Sequence, residues 1–158
     1  MNSRVTFPTV TVADFEQLLA LRIEAMRESL ERIGRFDPAR ARQRLADSFD
    51  PQHTRFISLD GAVMGFYAFR PASDGYHLDH LYIAPACQGG GVGGYVLSQL
   101  IAEANRAGLP IFLGALRESD SNRFYQRHGF QKQREDAWDI YYIRPCDLPA
   151  HPPLNMSE

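Results

Sequence analysis

Between residues 84 and 94 the chain reads Ala84-Pro85-Ala86-Cys87-Gln88-Gly89-Gly90-Gly91-Val92-Gly93-Gly94. Five of the six residues from Gly89 to Gly94 are glycine, so the backbone there can take up positive φ and come close to a ligand. The cluster lies between a strand-like segment, Tyr76 to Ile83, and helical spacing from Tyr95 to Ala107. A glycine loop that opens a helix presents unpaired N–H groups and the positive end of the helix dipole, which together suit a phosphate. Taken alone, the segment also reads as a flexible glycine-rich turn.

The elements around the loop follow from periodicity. Val5 to Phe7 is a short strand closed by Pro8. Thr11 and Asp14 make a relative of the capping box. Phe15, Leu18, Leu19, Arg22, Ile23, Met26, Leu30 and Ile33 then recur near 3.6 residues until Gly34, which predicts an amphipathic helix. A more polar helix starts at Asp37-Pro38 and runs to about Phe49. Strands Arg55 to Leu59 and Ala62 to Arg70 flank Asp60-Gly61, a dipeptide that favours a two-residue hairpin turn. After the loop and its helix, Pro110 to Leu116 reads as a buried strand, Asn122 to His128 as a short helix, and Phe130 to Arg134 with Trp138 to Ile143 as a last hairpin. This order predicts an α+β, or mixed α/β, fold in a single domain over residues 1–158, with a core of about 4–144 and an irregular tail from 145 to 158.

Composition narrows the function classes. With 158 residues, 44% of them hydrophobic, the chain can build one core, and a formal charge of −2 lacks the basic excess of a nucleic-acid-binding module. No stretch approaches the roughly 20 apolar residues that cross a bilayer, and the N-terminus does not read as a signal peptide. Cys87 and Cys146 have no metal-ligand spacing and read as two free thiols, with one disulfide as the alternative. A cytoplasmic protein with no metal, nucleic-acid or membrane partner is the expectation.

Three phosphate loops fit the glycines to different degrees. A Walker-type loop needs Lys and Ser or Thr after the last glycine, and Gly94 is followed by Tyr95. The dinucleotide fingerprint matches at Gly89, Gly91 and Gly94. However, five residues separate Ile83 from Gly89, and the acid expected on the next strand is replaced by Ile111-Phe112-Leu113-Gly114-Ala115. The third pattern is Gln-x-x-Gly-x-Gly, at Gln88, Gly91 and Gly93. It follows His77-Leu78-Asp79-His80-Leu81-Tyr82-Ile83-Ala84-Pro85 and precedes Asn122-Arg123-Phe124-Tyr125-Gln126-Arg127-His128-Gly129-Phe130. In these stretches the chain resembles the GCN5-related N-acetyltransferase (GNAT) superfamily, from about Thr9 to Arg144.

The resemblance implies a GNAT-like acyl-coenzyme A N-acyltransferase fold: a central mixed, mostly antiparallel sheet of six to seven strands with about four helices. It implies acetyl-coenzyme A as cofactor, its pyrophosphate held by Gln88, Gly89, Gly90, Gly91, Val92, Gly93 and Gly94. The pantetheine arm would lie along the strand at Leu81, Tyr82 and Ile83, like an added β-strand. Asn122 stands where the family often bonds the cofactor, although Glu118 occupies the place of the asparagine many members carry seven residues before the tyrosine; a helix-capping role for Asn122 stays open. Tyr125 corresponds to the tyrosine that protonates the departing thiolate, a role suited to a phenol within hydrogen-bond reach. The general base is placed by the resemblance at His77 or Asp79. Strand alternation sets these two with Leu81 on one face, and Tyr76, Leu78, His80 and Tyr82 on the other. Cys87 is given no role.

In related enzymes the first two helices and the last hairpin frame the acceptor. Here that means Glu24, Arg27, Glu28, Glu31 and Phe36, with Trp138, Asp139 and Tyr141. Acidic and aromatic residues suit a small cation, and a merely solvated helix face is the plainer alternative. The reading is an N-acetyltransferase acting directly, in a ternary complex, on a primary amine of a small molecule. A protein N-terminus or lysine is the less favoured acceptor. A non-catalytic acyl-coenzyme A sensor on the same fold and a small nucleotide-binding oxidoreductase are the competing readings. The family often dimerises, so a homodimer is a further expectation.

Overall fold

A computed structural model describes residues 4–147. Among the described residues there are seven strands and four α-helices, in the order β1 (Val5–Thr6), α1 (Phe15–Arg32), α2 (Pro38–Ser48), β2 (Thr54–Leu59), β3 (Ala62–Ala72), β4 (Gly75–Ile83), α3 (Val92–Ala107), β5 (Ile111–Leu116), α4 (Ser121–Arg127), β6 (Gln131–Glu135) and β7 (Asp139–Arg144). The strands form one sheet in the order β1-β2-β3-β4-β5-β7-β6. The β1/β2, β2/β3, β5/β7 and β6/β7 pairs are antiparallel, and β4 and β5 are parallel. The mixed, mostly antiparallel sheet with four helices is the architecture the sequence predicts. Residues of the tail beyond Asp147 lie outside the described residues.

The described residues fall into two compact units, 4–70 with Leu78–Val96, and Pro71–His77 with 97–147. In the first, Leu18 and Leu19 of α1, Ala41 and Leu45 of α2, Phe56 of β2, Phe66 of β3 and Val10 form a continuous apolar cluster. Burying each large side chain of such a cluster contributes roughly 1.5–3 kcal/mol before entropy is counted. Asp37 caps α2 by accepting from the N–H groups of Ala39 at 3.0 Å and Arg40 at 3.3 Å, with Pro38 at the first helical position. Asp60 and Gly61 both have positive φ, 51° and 88°, as a two-residue type I′ turn requires. Gly65 allows a close approach of β3 to β4: a Cβ there would lie 2.0 Å from the Tyr82 carbonyl oxygen.

In the second unit β5 pairs with β7 along its whole length, from Ile111↔Arg144 to Leu116↔Asp139. Asp136 closes the β6–β7 hairpin by accepting from the N–H groups of Trp138 and Asp139 and from the Tyr141 hydroxyl. These three donors hold its carboxyl below the usual carboxylate range.

Most element ends lie within two residues of the sequence reading, and one differs by more. The helix after the glycine loop begins at Val92, not Tyr95, so Gly93 and Gly94 are part of its first turn. Glycines show no periodicity, which hides the start, but Val92 and Val96 are both buried one turn apart and anchor that turn.

Candidate functional site

The end of β4, the glycine loop and the first turn of α3 form one continuous feature of the first unit. A single 3₁₀ turn, Pro85–Cys87, leads off the strand, and the Ala84 N–H donates to the Met64 carbonyl at 2.7 Å. Gln88 folds back and its Nε2 donates to the Ile83 carbonyl at 2.8 Å, tying the loop to the strand it leaves. Gly89 and Gly91 have φ of 90° and 84°, which side-chain-bearing residues adopt only with strain. Among the described residues, a Cβ built on Gly89, Gly90 or Gly91 meets nothing within 4 Å, so open space borders this backbone.

The first bond inside α3 runs from the Tyr95 N–H to the Gly91 carbonyl, at 3.0 Å. By helix geometry the N–H groups of Val92, Gly93 and Gly94 then have no acceptor within the helix. They stand at the positive end of a 16-residue helix. Three donors, a favourable dipole and uncrowded glycine backbone can hold an anion with several oxygens, such as a diphosphate. Upstream, the parallel ladder of β4 with β5 consists of Tyr76↔Ile111 and His77↔Phe112. Leu81, Tyr82 and Ile83 lie beyond it.

The second unit holds the tyrosine and asparagine singled out by the sequence. Tyr125 is buried on α4, with its ring 5.3 Å from Phe124, 5.5 Å from Phe130 and 6.5 Å from Tyr142. Asn122, one turn earlier, is held within the protein. Its Nδ2 donates to the carbonyls of Leu116 at 2.8 Å and Ser119 at 2.9 Å, and its Oδ1 accepts from the Tyr142 hydroxyl at 2.7 Å. Asn122, Tyr125 and Tyr142 thus form a fixed group.

Alternation along β4 is as the sequence predicts: Leu78 and His80 are buried, while His77, Asp79 and Leu81 are half-buried. His77 Nε2 bonds Asp74 Oδ1 at 2.8 Å, and its ring stacks on Phe112 with centroids 5.2 Å apart. Asp79 accepts from Arg70 Nε at 2.6 Å. The two candidate bases therefore have separate charged partners.

The opposite face of β4 carries a polar cluster that the sequence reading did not assemble. His80 bonds Ser48 Oγ through Nε2 at 2.7 Å and the Tyr82 hydroxyl through Nδ1 at 3.1 Å. Ser48 directs its hydroxyl at the Arg44 carbonyl, at 3.2 Å. The proton of His80 then belongs on Nε2, and Tyr82 donates to Nδ1. Burial, reinforced by the charge of Arg22 and opposed by Asp79, pushes His80 down to about 4. Arg22 itself is buried, its guanidinium carbon 5.8 Å from the Tyr82 ring centroid and its Nε without a hydrogen-bond partner among the described residues. An arginine inside an apolar helical stripe is a signal the sequence does carry. Ser48 and His80, 32 residues apart, leave no local trace of their meeting.

The acceptor candidates are distributed over both units. Glu24, Arg27 and Glu28 are exposed on α1. Arg27 pairs with Glu31 at 2.9 Å and lies 4.6 Å from the Phe36 ring centroid, so a cation of the protein's own already sits on that ring. Trp138 is 44% exposed. Tyr141 donates to Asp136 and has the Arg134 guanidinium 3.9 Å from its ring centroid. Cys87 and Cys146 are free. Among the described residues no group of three or more His, Cys, Asp or Glu is placed to hold a metal ion, and no helix is long and apolar enough to cross a membrane.

Residues 51–132 match the family model described as the acetyltransferase (GNAT) domain. Comparison with curated protein sequences gives no match. Among solved structures, the chain is similar to the PaiA N-acetyltransferase of Thermoplasma acidophilum in complex with coenzyme A, at 16% identity and a TM-score of 0.71, over 92% of this chain and 99% of that one. It is similar also to the ribosomal-protein-S18-alanine N-acetyltransferase of Escherichia coli, at 16% identity and a TM-score of 0.70, over 97% and 100% of the two chains. An acetyltransferase of Thermus thermophilus matches at 19% identity with a TM-score of 0.67, over 89% and 96%. At these identities the shared property is the fold.

Proposed function

The chain belongs to the GNAT acetyltransferase family, and on that premise we propose that residues 1–158 act as a single domain that transfers an acetyl group from acetyl-coenzyme A to a primary amine of a small molecule, by direct attack in a ternary complex. The first turn of α3 carries this reading. Its three N–H groups without helical acceptors follow a loop that Gln88 pins to β4 and whose glycines border open space.

These residues fit the cofactor. The amides from Gly89 to Gly94 would hold the diphosphate, and backbone groups of Leu81 and Ile83, with Tyr82 between them, would pair with the pantetheine arm. When bound, acetyl-coenzyme A supplies the acetyl group as a thioester. Tyr125 acts as the acid, giving its phenolic proton to the departing sulfur. Asn122 supports it by fixing Tyr142, whose ring lies against Tyr125. The attacking amine must first lose a proton, and we assign this to His77 ahead of Asp79. Asp74 takes Nε2 and orients the imidazole, so Nδ1 is the nitrogen that accepts, whereas Asp79 is engaged by the Arg70 guanidinium.

A panel of amines with acetyl-coenzyme A, followed by release of free thiol, tests the reading. Thiol release with one class of amine is the expected outcome. Tyr125→Phe should keep the acetyl-coenzyme A thermal shift and lose about 10²–10⁴ in turnover. Undiminished turnover would remove Tyr125 as the acid, and a thermal shift without thiol release from any amine would favour the non-catalytic sensor.

A further inference from the structure

Arg22 lies in the middle of the α1 core face, after Leu18 and Leu19, which are 0% and 6% exposed, and is itself 6% exposed. Among the described residues no carboxylate pairs with it, and its Nε, sealed from solvent, has no hydrogen-bond partner. The groups around it do not balance the charge. Tyr82 offers a ring face, and Ser48 and His80 are neutral hydrogen-bonding groups engaged with each other. An uncompensated buried guanidinium opposes folding, and an apolar side chain at this position would extend the cluster of Leu18 and Leu19. One turn further along the same face, Ala25 and Met26 are only half-buried, as is Tyr82, so this end of the cluster approaches the surface.

From this unbalanced charge we infer that Arg22 receives a carboxylate carried by the acceptor, so that the enzyme acts on amines bearing a carboxylate, of the amino-acid kind. The guanidinium fork matches a carboxylate with two parallel hydrogen bonds, which an ammonium group cannot reproduce. The Tyr82 and Ser48 hydroxyls already donate within the protein, to His80 Nδ1 and the Arg44 carbonyl, which leaves the guanidinium as the donor for the carboxylate. The inference rests on the acetyltransferase reading above and narrows its substrate class.

The test uses the full chain with matched amines, each as free acid, methyl ester and carboxamide, and measures kcat and KM separately. Wild type should favour the free acids by about tenfold or more in kcat/KM, the scale of one hydrogen bond to a charged group. Arg22→Met should abolish that preference, raising KM for the acids far more than it changes kcat or the ester values. Arg22→Lys, which keeps the charge but loses the fork, should raise KM for the acids in the same selective way and serves if the Met variant folds poorly. As a readout apart from activity, sodium acetate should raise the melting temperature of wild type saturably and leave that of Arg22→Met unmoved. Equal losses on acids and esters would overturn the inference, as would a wild type that turns over other amines but no carboxylated one. Loss of the acetyl-coenzyme A thermal shift in Arg22→Met would also overturn it, by assigning the anion to a cofactor phosphate. A wild type that shows neither thermal shift nor thiol release with acetyl-coenzyme A defeats the acetyltransferase reading itself.

Discussion

His80 is a titrating group that the fold keeps neutral. Burial excludes water, the Arg22 charge repels a proton and Asp79 pulls the other way, which together place it at about 4, while Ser48 Oγ and the Tyr82 hydroxyl bond its two ring nitrogens. In the unfolded chain the same imidazole protonates near its ordinary value of about 6.5. Between those limits the unfolded state holds the extra proton, so the contribution of His80 to stability falls as pH drops from about 6.5 toward 4 and is constant above and below. The full swing is worth roughly 3 kcal/mol. Urea unfolding at about pH 7 and pH 5 should show roughly 2 kcal/mol of this loss in the wild type and a much flatter response in His80→Gln, the other histidines forming a common background. Parallel responses in the two proteins would show that His80 is not held neutral. Arg22, its neighbour, was visible in the sequence as one charged residue within an apolar stripe. What the stripe does not reveal is the missing counter-charge, because that depends on Ser48, His80 and Tyr82 arriving from α2 and β4.

Elements whose causes are local were legible, and those with tertiary causes were less so. The Asp60-Gly61 turn, the Asp37-Pro38 helix start and the glycines ending α1, α3 and α4 each follow from a dihedral preference of one or two residues; Gly34, Gly108 and Gly129 all have positive φ. The start of α3 depends instead on Val92 being buried, which no periodicity across Gly93 and Gly94 can signal. The shift matters chemically, since it turns three glycine-loop residues into a helix N-terminus. Gly90 provides the test of that arrangement. Its φ lies outside the positive range and a Cβ meets nothing within 4 Å, whereas Gly91 sits at φ 84°. Gly90→Ala should therefore leave stability within about 0.5 kcal/mol of wild type. It should nevertheless weaken acetyl-coenzyme A binding by about tenfold or more, because the methyl group enters the space assigned to the diphosphate. Gly91→Ala should lower stability by about 1 kcal/mol or more through backbone strain alone. Melting temperature and cofactor titration on the two variants separate the effects, and unchanged binding in Gly90→Ala would remove that residue from the cradle.

For the molecule as a whole, the competing interpretation of the glycines is a dinucleotide site, and the fold bears on it directly. A 3₁₀ turn, Pro85–Cys87, separates β4 from Gly89, and Gly94 is the third residue of α3 instead of part of the preceding turn. In a dinucleotide fold the glycines come straight off the strand. Both ligand classes carry a diphosphate, so the amides of Val92 to Gly94 alone do not discriminate between them. Discrimination comes from β4, whose ladder with β5 includes only Tyr76 and His77 and leaves Leu81 and Ile83 outside it. A strand-like pantetheine arm can use those backbone groups, whereas a nicotinamide riboside has no peptide-like units to pair with them. Acetyl-coenzyme A at about 100 times its dissociation constant should stabilise the native state by about 2.7 kcal/mol. For a chain of this size that is a rise of roughly 5–10 °C in melting temperature. ADP, which carries the diphosphate without the arm, should give a smaller rise at the same concentration, and NAD should give no more than ADP. A rise with NAD that matches acetyl-coenzyme A would mean that the helix N-terminus alone sets the affinity and that β4 makes no contribution.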